Sequence, residues 1–165
     1  IYIDYYVRLI LQVRKGAGEA EMMLQDSIGY ASYYPELSYT TIRPNLVEGS
    51  AEAQGGVRVG PLWVGETLDR EFIERCLEEL EGRFSYLRTK PRLEKILTSL
   101  REESLVQDEL HQRLDLIASA LRKQTPPRRR VVEELRARGF KATTTHYHPT
   151  AIRTNASPRE LFEVI

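Results

Sequence analysis

The stretch TPPRRRVVEELRARGFKATTTHYHPTAIRTNA, Thr125 to Ala156, decides how the chain folds. Pro126 and Pro127 start a helix, because a first turn leaves the missing proline donor without cost. Val131, Val132 and Leu135 share its inner face, and Gly139 ends it after Arg138. Phe140 to Tyr147 then reads as a strand and Thr150 to Thr154 as its partner, closing on a Thr154-Asn155-Ala156 corner. The stretch carries Arg128, Arg129, Arg130, Arg136, Arg138, Lys141 and Arg153, against only Glu133 and Glu134.

Working outward, three more helices precede this one. Thr67 is placed to cap the first, with Phe72, Ile73, Cys76, Leu77 and Leu80 as its apolar stripe and Gly82 as its stop. Lys90-Pro91 opens the second, which turns Leu93, Ile96, Leu97 and Leu100 inward. Val106 to Leu121 reads as the third, with Leu110, Leu114, Ile117, Ala118 and Leu121 on one face. Lys123-Gln124-Thr125 is the turn into the arginine-rich helix, and Ser157-Pro158 caps a last short helix. Helix, turn, helix and a β-hairpin in this order predict a winged-helix-like unit over residues 66–165.

Residues 1–65 read differently. Tyr5 to Arg14 is β-branched, aromatic and free of breakers, so it predicts a central strand. Glu19 to Ile28 predicts a short helix stopped by Gly29. Tyr30–Tyr34 and Leu37–Ile42 flank Pro35-Glu36 as a hairpin, 44–56 is a polar loop, and Val57–Val64 resumes strand character. The fold class expected is α+β: a small N-terminal mixed sheet with a packed helix, followed by helices and the winged-helix-like unit.

Bulk properties narrow the field. The 165 residues are 41% hydrophobic and 29% charged, which suits a globular chain of one or two small domains. Formal net charge is zero, yet acids exceed bases from Glu66 to Asp115 and bases dominate from Arg122 to Arg159. Cys76 is the sole cysteine, which rules out an intrachain disulfide or a cysteine-rich metal site and fits a reducing cytoplasm. No apolar run approaches the roughly 20 residues of a membrane helix, and Ile1 to Val13 does not read as a signal peptide. Ile1 is not a natural start residue, so the expectation is a piece of something longer.

The chemistry-bearing patterns are few. Gly16-Ala17-Gly18 lacks the third glycine and the Lys-Ser/Thr of a phosphate loop, so it reads as a turn. His146 and His148 would share a strand face, but no third metal ligand is local. Cys76 sits on an apolar stripe and reads as core. Three consecutive arginines at 128–130 cover most of a helix circumference, so some must face solvent, either as a solubilising face or as a nucleic-acid contact. Thr143, Thr145, His146, Thr150, Arg153, Thr154 and Asn155 add donors suited to phosphates and ribose hydroxyls, which favours RNA.

Within this stretch, Gly139, Phe140, Ala142, Thr145, His146, Tyr147, Pro149, Ile152, Thr154, Asn155 and Ala156 resemble the C-terminal signature of archaeal and eukaryotic tRNA (guanine-26,N2-N2) dimethyltransferases. Gly60-Pro61-Leu62-Trp63 with Gly65 is similar to a second family segment, and Tyr6-Val7-Arg8, Lys15-Gly16-Ala17 and Ile28-Gly29-Tyr30 to a third. The resemblance implies a C-terminal domain of such an enzyme. S-adenosylmethionine and the catalytic residues would belong to a domain missing from this chain, so the chain alone should be inactive and no residue in it catalytic. It implies tRNA and the methyltransferase domain of the same protein as partners, in the cytoplasm, with no membrane role. Many members carry cysteines that suggest zinc. Here Tyr34-Pro35-Glu36-Leu37 and Val59 stand in their places, so no zinc is expected and the hairpin should be held by apolar and aromatic packing. The candidate RNA-binding residues are Arg128, Arg129, Lys141, Thr145, His146, Arg153 and Asn155. A DNA-binding winged-helix regulator and a purely structural domain packed on a catalytic partner are the rival readings.

Overall fold

The computed structural model describes residues 2–3, 6–13, 15–44, 56–107 and 109–165. A two-stranded ribbon, β1 (Tyr2–Ile3) and β2 (Tyr6–Val7), leads to helix α1 (Ala17–Ser27). Strands β3 (Ile28–Tyr34), β4 (Tyr39–Pro44) and β5 (Val57–Trp63) form an antiparallel sheet in the order β4-β3-β5. Helices α2 (Arg70–Glu81) and α3 (Lys90–Glu103) make a hairpin, followed by a 3-10 turn at Ser104–Val106. Then come β6 (Gln112–Arg113), α4 (Leu114–Ala120), α5 (Arg128–Ala137), β7 (Ala142–Thr144), β8 (Ala151–Thr154) and α6 (Pro158–Val164). The second sheet has the order β6-β8-β7, also antiparallel. The architecture is α+β, as the sequence predicts.

One core lies between α4, α5, α6 and the second sheet. Leu114, Ile117, Val131, Leu135, Ile152 and Leu161 are fully buried there. Helix α5 supplies three of its apolar residues from one face, and its end is a Schellman motif. Gly139 takes φ +90°, its N–H donates to the Arg136 carbonyl, and the Phe140 N–H reaches back to Leu135 at 3.0 Å. Phe140 packs on the same core as Leu135, so the helix stop and the core contact reinforce each other. Helix α6 begins with a capping box: Ser157 Oγ accepts from the Glu160 N–H, and the Glu160 carboxylate accepts from the Ser157 N–H at 2.8 Å.

The first sheet docks on this core through β4. Tyr39 is buried among the core residues, meets Phe162 edge to face at 6.0 Å, and donates its hydroxyl to the Ala156 carbonyl. Burial pushes the Tyr39 phenol up to about 12. Gln112 completes the joint: its amide accepts from the Thr40 N–H at 3.1 Å and donates to the Thr40 carbonyl. Tyr34 and Tyr39 flank the β3–β4 turn at 35–38 and both pack on this core, while the Leu37 and Ser38 N–H groups donate to the Tyr34 and Pro35 carbonyls within the turn.

Several sequence expectations give way to tertiary context. The strand expected over Tyr5–Arg14 is reduced to β2 among the described residues. Residues 8–13 are not in a sheet, and Leu9, Ile10, Leu11 and Val13 are exposed. Positions 5 and 14 lie outside the described residues, as does most of the loop expected over 44–56. Helix α1 starts at Ala17 and buries no side chain, and Gly29 is a buried member of β3 instead of a helix stop. Asp69, not Thr67, caps α2: its carboxylate accepts from the Phe72 N–H at 2.9 Å. The single helix expected over Val106–Leu121 is broken, because Gln112 and Arg113 pair with Ile152 and Ala151 and helix resumes only at Leu114. Strand pairing overrides a weak local helix preference there. Cys76, expected in the core, is half-buried on a groove, and burial pushes its thiol up from the usual value.

Candidate nucleic-acid interface

Helix α5 carries arginines on both its inner rim and its outer face, and they have different fates. Arg128 is half-buried. Its Nη1 donates to the Thr145 carbonyl at 3.1 Å and to the His148 carbonyl at 2.9 Å. One guanidinium therefore ties the helix start to the loop between β7 and β8. Thr145, itself buried, donates its hydroxyl to the same His148 carbonyl at 3.2 Å. Further along, Arg136 Nε donates to the Ala142 carbonyl at 2.8 Å and pins the helix end to β7.

A carboxylate from α3 holds the other side of that loop. Glu103 is 0% exposed. Its Oε1 accepts from the His146 N–H at 2.6 Å and lies 2.7 Å from His146 Nδ1. Arg153 brings its Nε within 3.6 Å of the other carboxylate oxygen, and its Nη1 donates to the Glu109 carbonyl at 2.9 Å. A buried carboxylate needs such partners, because an unpaired charge in a low-dielectric interior is strongly unfavourable. Tyr147 meets both His146 and His111 edge to face. Burial pushes its phenol up to about 12, and burial together with the nearby cation of Arg153 lowers the His111 pKa.

At the loop's far end Thr150 donates its hydroxyl to Asp115 at 2.5 Å, and Arg113 pairs with the same carboxylate. The Arg113 hydrogen bond, followed by that of Thr150, holds Asp115 well below the usual carboxylate range. His148 accepts from the Thr150 N–H at Nδ1, 3.3 Å away. The loop 145–150 is thus anchored from α5, α3 and α4 at once.

The seven candidate residues divide between two places. Arg128, Thr145, His146 and Arg153 belong to this internal network. Arg129, Lys141 and Asn155 are exposed. Asn155 works on the backbone: its Oδ1 accepts from the Lys141 N–H at 2.8 Å, and its own N–H donates to the Lys141 carbonyl. That brace leaves the Lys141 ammonium pointing outward without an ion pair among the described residues. Arg129 and Arg130 likewise have no ion pair among them, whereas Arg138 is engaged by Glu134 and Glu163. A groove of about 430 Å³ opens beside Lys141, lined also by Glu102, Leu105, Val106, Arg136 and Ala142. Sequence reasoning passed over Glu103. Its signal was electrostatic: an acid as the last residue of α3 opposes the helix dipole and so calls for a tertiary partner.

No group of His, Cys, Asp and Glu among the described residues is arranged to hold a metal ion. No described helix is long and apolar enough to cross a membrane. Comparisons with known proteins agree on a family. A family model described as N2,N2-dimethylguanosine tRNA methyltransferase matches residues 1–165. The chain is 33% identical to a tRNA (guanine(26)-N(2))-dimethyltransferase of Aeropyrum pernix, over 99% of this chain and 41% of that protein. It is 32% identical to the Methanosarcina acetivorans enzyme of the same description, over 98% of this chain and 42% of that one. It therefore spans about two-fifths of the length of these relatives. Among solved structures, Trm1 from Pyrococcus horikoshii in complex with S-adenosyl-L-methionine shares the fold, with TM-score 0.76 and 23% identity over 92% of this chain and 38% of that chain.

Proposed function

Because the chain belongs to the N2,N2-dimethylguanosine tRNA methyltransferase family, we propose that it is the tRNA-holding, C-terminal part of a tRNA (guanine-26,N2-N2) dimethyltransferase. Methyl transfer from S-adenosylmethionine is carried out by residues outside this chain, in the cytoplasm, and the chain alone is inactive. The relatives' descriptions and the S-adenosylmethionine complex of Trm1 support the parent activity. Both three-stranded sheets here are antiparallel. They offer no crevice at the carboxyl ends of parallel strands, where an open α/β sheet binds such a cofactor. No catalytic step is assigned to the described residues.

The order α3, β6, α4, α5, β7, β8 with sheet order β6-β8-β7 supports reading 90–154 as winged-helix-like, with 145–150 as the wing. The observation that carries the RNA reading is the exposed trio Arg129, Arg130 and Lys141, which lack ion pairs among the described residues and sit on elements clamped by Arg128, Arg136 and Asn155. Rigidly mounted cations suit a phosphate backbone, and recognition of A-form RNA relies on phosphates and 2′-hydroxyls more than on base edges. The inward four, Arg128, Thr145, His146 and Arg153, set the shape of the surface and do not touch RNA.

Competition of unlabelled tRNA against duplex DNA, at several salt concentrations, tests the reading. Preferential displacement by tRNA, with affinity falling steeply as salt rises, is expected. Equal displacement by DNA would favour a DNA-binding module. The Glu103–Arg153 pair gives specific support to a second, structural role for the buried half of the candidate set.

A further inference from the structure

The segment Gly60-Pro61-Leu62-Trp63 lies on β5, in the first sheet, and the RNA surface proposed above makes no use of it. What it builds is a mount for a cation. The β3–β5 register shifts between Gly29 and Ala31, so Gly60 and Pro61 together stand opposite Tyr30 as a bulge. Gly60 leaves no room for a side chain: a Cβ there would stand 2.6 Å from Tyr30 Cδ1 and 3.0 Å from the Gly29 carbonyl oxygen. The Tyr30 ring therefore lies close against the β5 backbone. Arg58, from the same strand, lays its guanidinium over that ring with Cζ 3.6 Å from the centroid. Ser32 is the cross-strand partner of both Arg58 and Thr41, so two hydroxyls share the sheet face with the guanidinium.

No carboxylate answers this cation. Strands β3, β4 and β5 contain no Asp or Glu. Arg58 is exposed and makes no ion pair among the described residues. Stacking occupies one face of a guanidinium and leaves its N–H edge free. A fork whose plane is already fixed loses less side-chain freedom when it takes an anion, and the two unbridged oxygens of a phosphodiester match that edge. Bulges next to a site serve to re-aim a side chain, which is what Gly60 and Pro61 do for this strand. We propose that Arg58, held on Tyr30, is a phosphate-backbone contact for folded RNA, separate from Arg129, Arg130 and Lys141. The proposal rests on the RNA reading above and extends its footprint to the first sheet. The hydroxyls of Ser32 and Thr41 favour RNA over an acidic protein partner, because such donors reach phosphate and ribose oxygens beside an arginine.

The test measures tRNA binding by the complete protein across a salt series. It compares the parent with Arg58→Ala, Arg58→Lys and the Arg129→Ala, Arg130→Ala, Lys141→Ala triple variant. Arg58→Ala should lower the slope of log affinity against log salt by about 0.7–0.9. Its melting temperature should stay within about 4 °C of the parent, since an exposed stack contributes little to the fold. Arg58→Lys keeps the charge and therefore the slope, but loses the planar fork and should bind about threefold more weakly. An Arg58→Ala variant with the parent's slope would overturn the proposal, whatever its melting temperature. An Arg58→Lys variant that binds as tightly as the parent would overturn the role given to the Tyr30 stack. The triple variant keeps the two readings apart. A slope that falls in the triple variant alone sinks the Arg58 contact and leaves the RNA reading standing. A slope that falls in Arg58→Ala alone sinks the surface on α5 and leaves this contact standing.

Discussion

Replacing Glu103 by alanine removes the carboxylate that faces the His146 N–H, the His146 ring and the Arg153 guanidinium. The carboxylate is 0% exposed and the Arg153 side chain 15% exposed, so water cannot restore the lost contacts without opening the structure. Breaking one side of a buried ion pair costs about 3–5 kcal/mol. For a chain of this size each kcal/mol shifts the melting temperature by about 2–4 °C, so Glu103→Ala should melt roughly 6–20 °C below the parent. Glu103→Gln keeps the shape and one acceptor oxygen and should lose about 1–3 kcal/mol. Circular dichroism melts of the three proteins check the order. An alanine variant that melts within about 2 °C of the parent would refute the claim that this carboxylate anchors the 145–150 loop.

The other expectations concern single anchors. Arg128→Ala frees the Thr145 and His148 carbonyls and should cost about 1.5–3 kcal/mol. Arg128→Lys should recover only part of it, since an ammonium cannot reproduce the guanidinium's spread of donors; urea unfolding reads both. Gly139 sits at φ +90° with open space around its Cα, so Gly139→Val should cost about 1–2 kcal/mol from backbone strain alone, and Gly139→Asn less. Asp115 has a folded-state pKa depressed below its unfolded value, so its contribution is full above the unfolded carboxylate pKa of about 4. It is lost as pH falls from there toward the folded value. The stability gap between parent and Asp115→Asn should therefore narrow between about pH 4 and lower pH, followed by denaturant titration.

Elements whose making is local were legible in the sequence. The face Val131, Val132, Leu135 and the stop at Gly139 define α5, and Ser157 with Glu160 announces α6. The turn at 35–38 follows from Pro35-Glu36 between two β-rich runs. What escaped was decided at long range. Gln112 leaves the helical pattern because its amide is satisfied by Thr40, seventy-two residues away in sequence. Leu9, Ile10 and Leu11 read as a central strand because their residue types match one, but no sheet neighbour receives them among the described residues. In the site, the basic charge was legible and its direction was not. Arg128 and Arg129 are adjacent in sequence, yet a step of 100° around α5 sends one into the 145–150 loop and the other into solvent.

On the proposed reading, tRNA is gripped by the outward cations, while the inward ones only hold the surface in shape. The salt dependence of tRNA binding by the parent and by an Arg129→Ala, Arg130→Ala, Lys141→Ala triple variant measures this directly. Each phosphate contact removed should lower the slope of log affinity against log salt by about 0.7–0.9, so a drop of about 2–3 with an unchanged melting temperature is the result expected. A triple variant that binds tRNA with the parent's affinity and slope would contradict it.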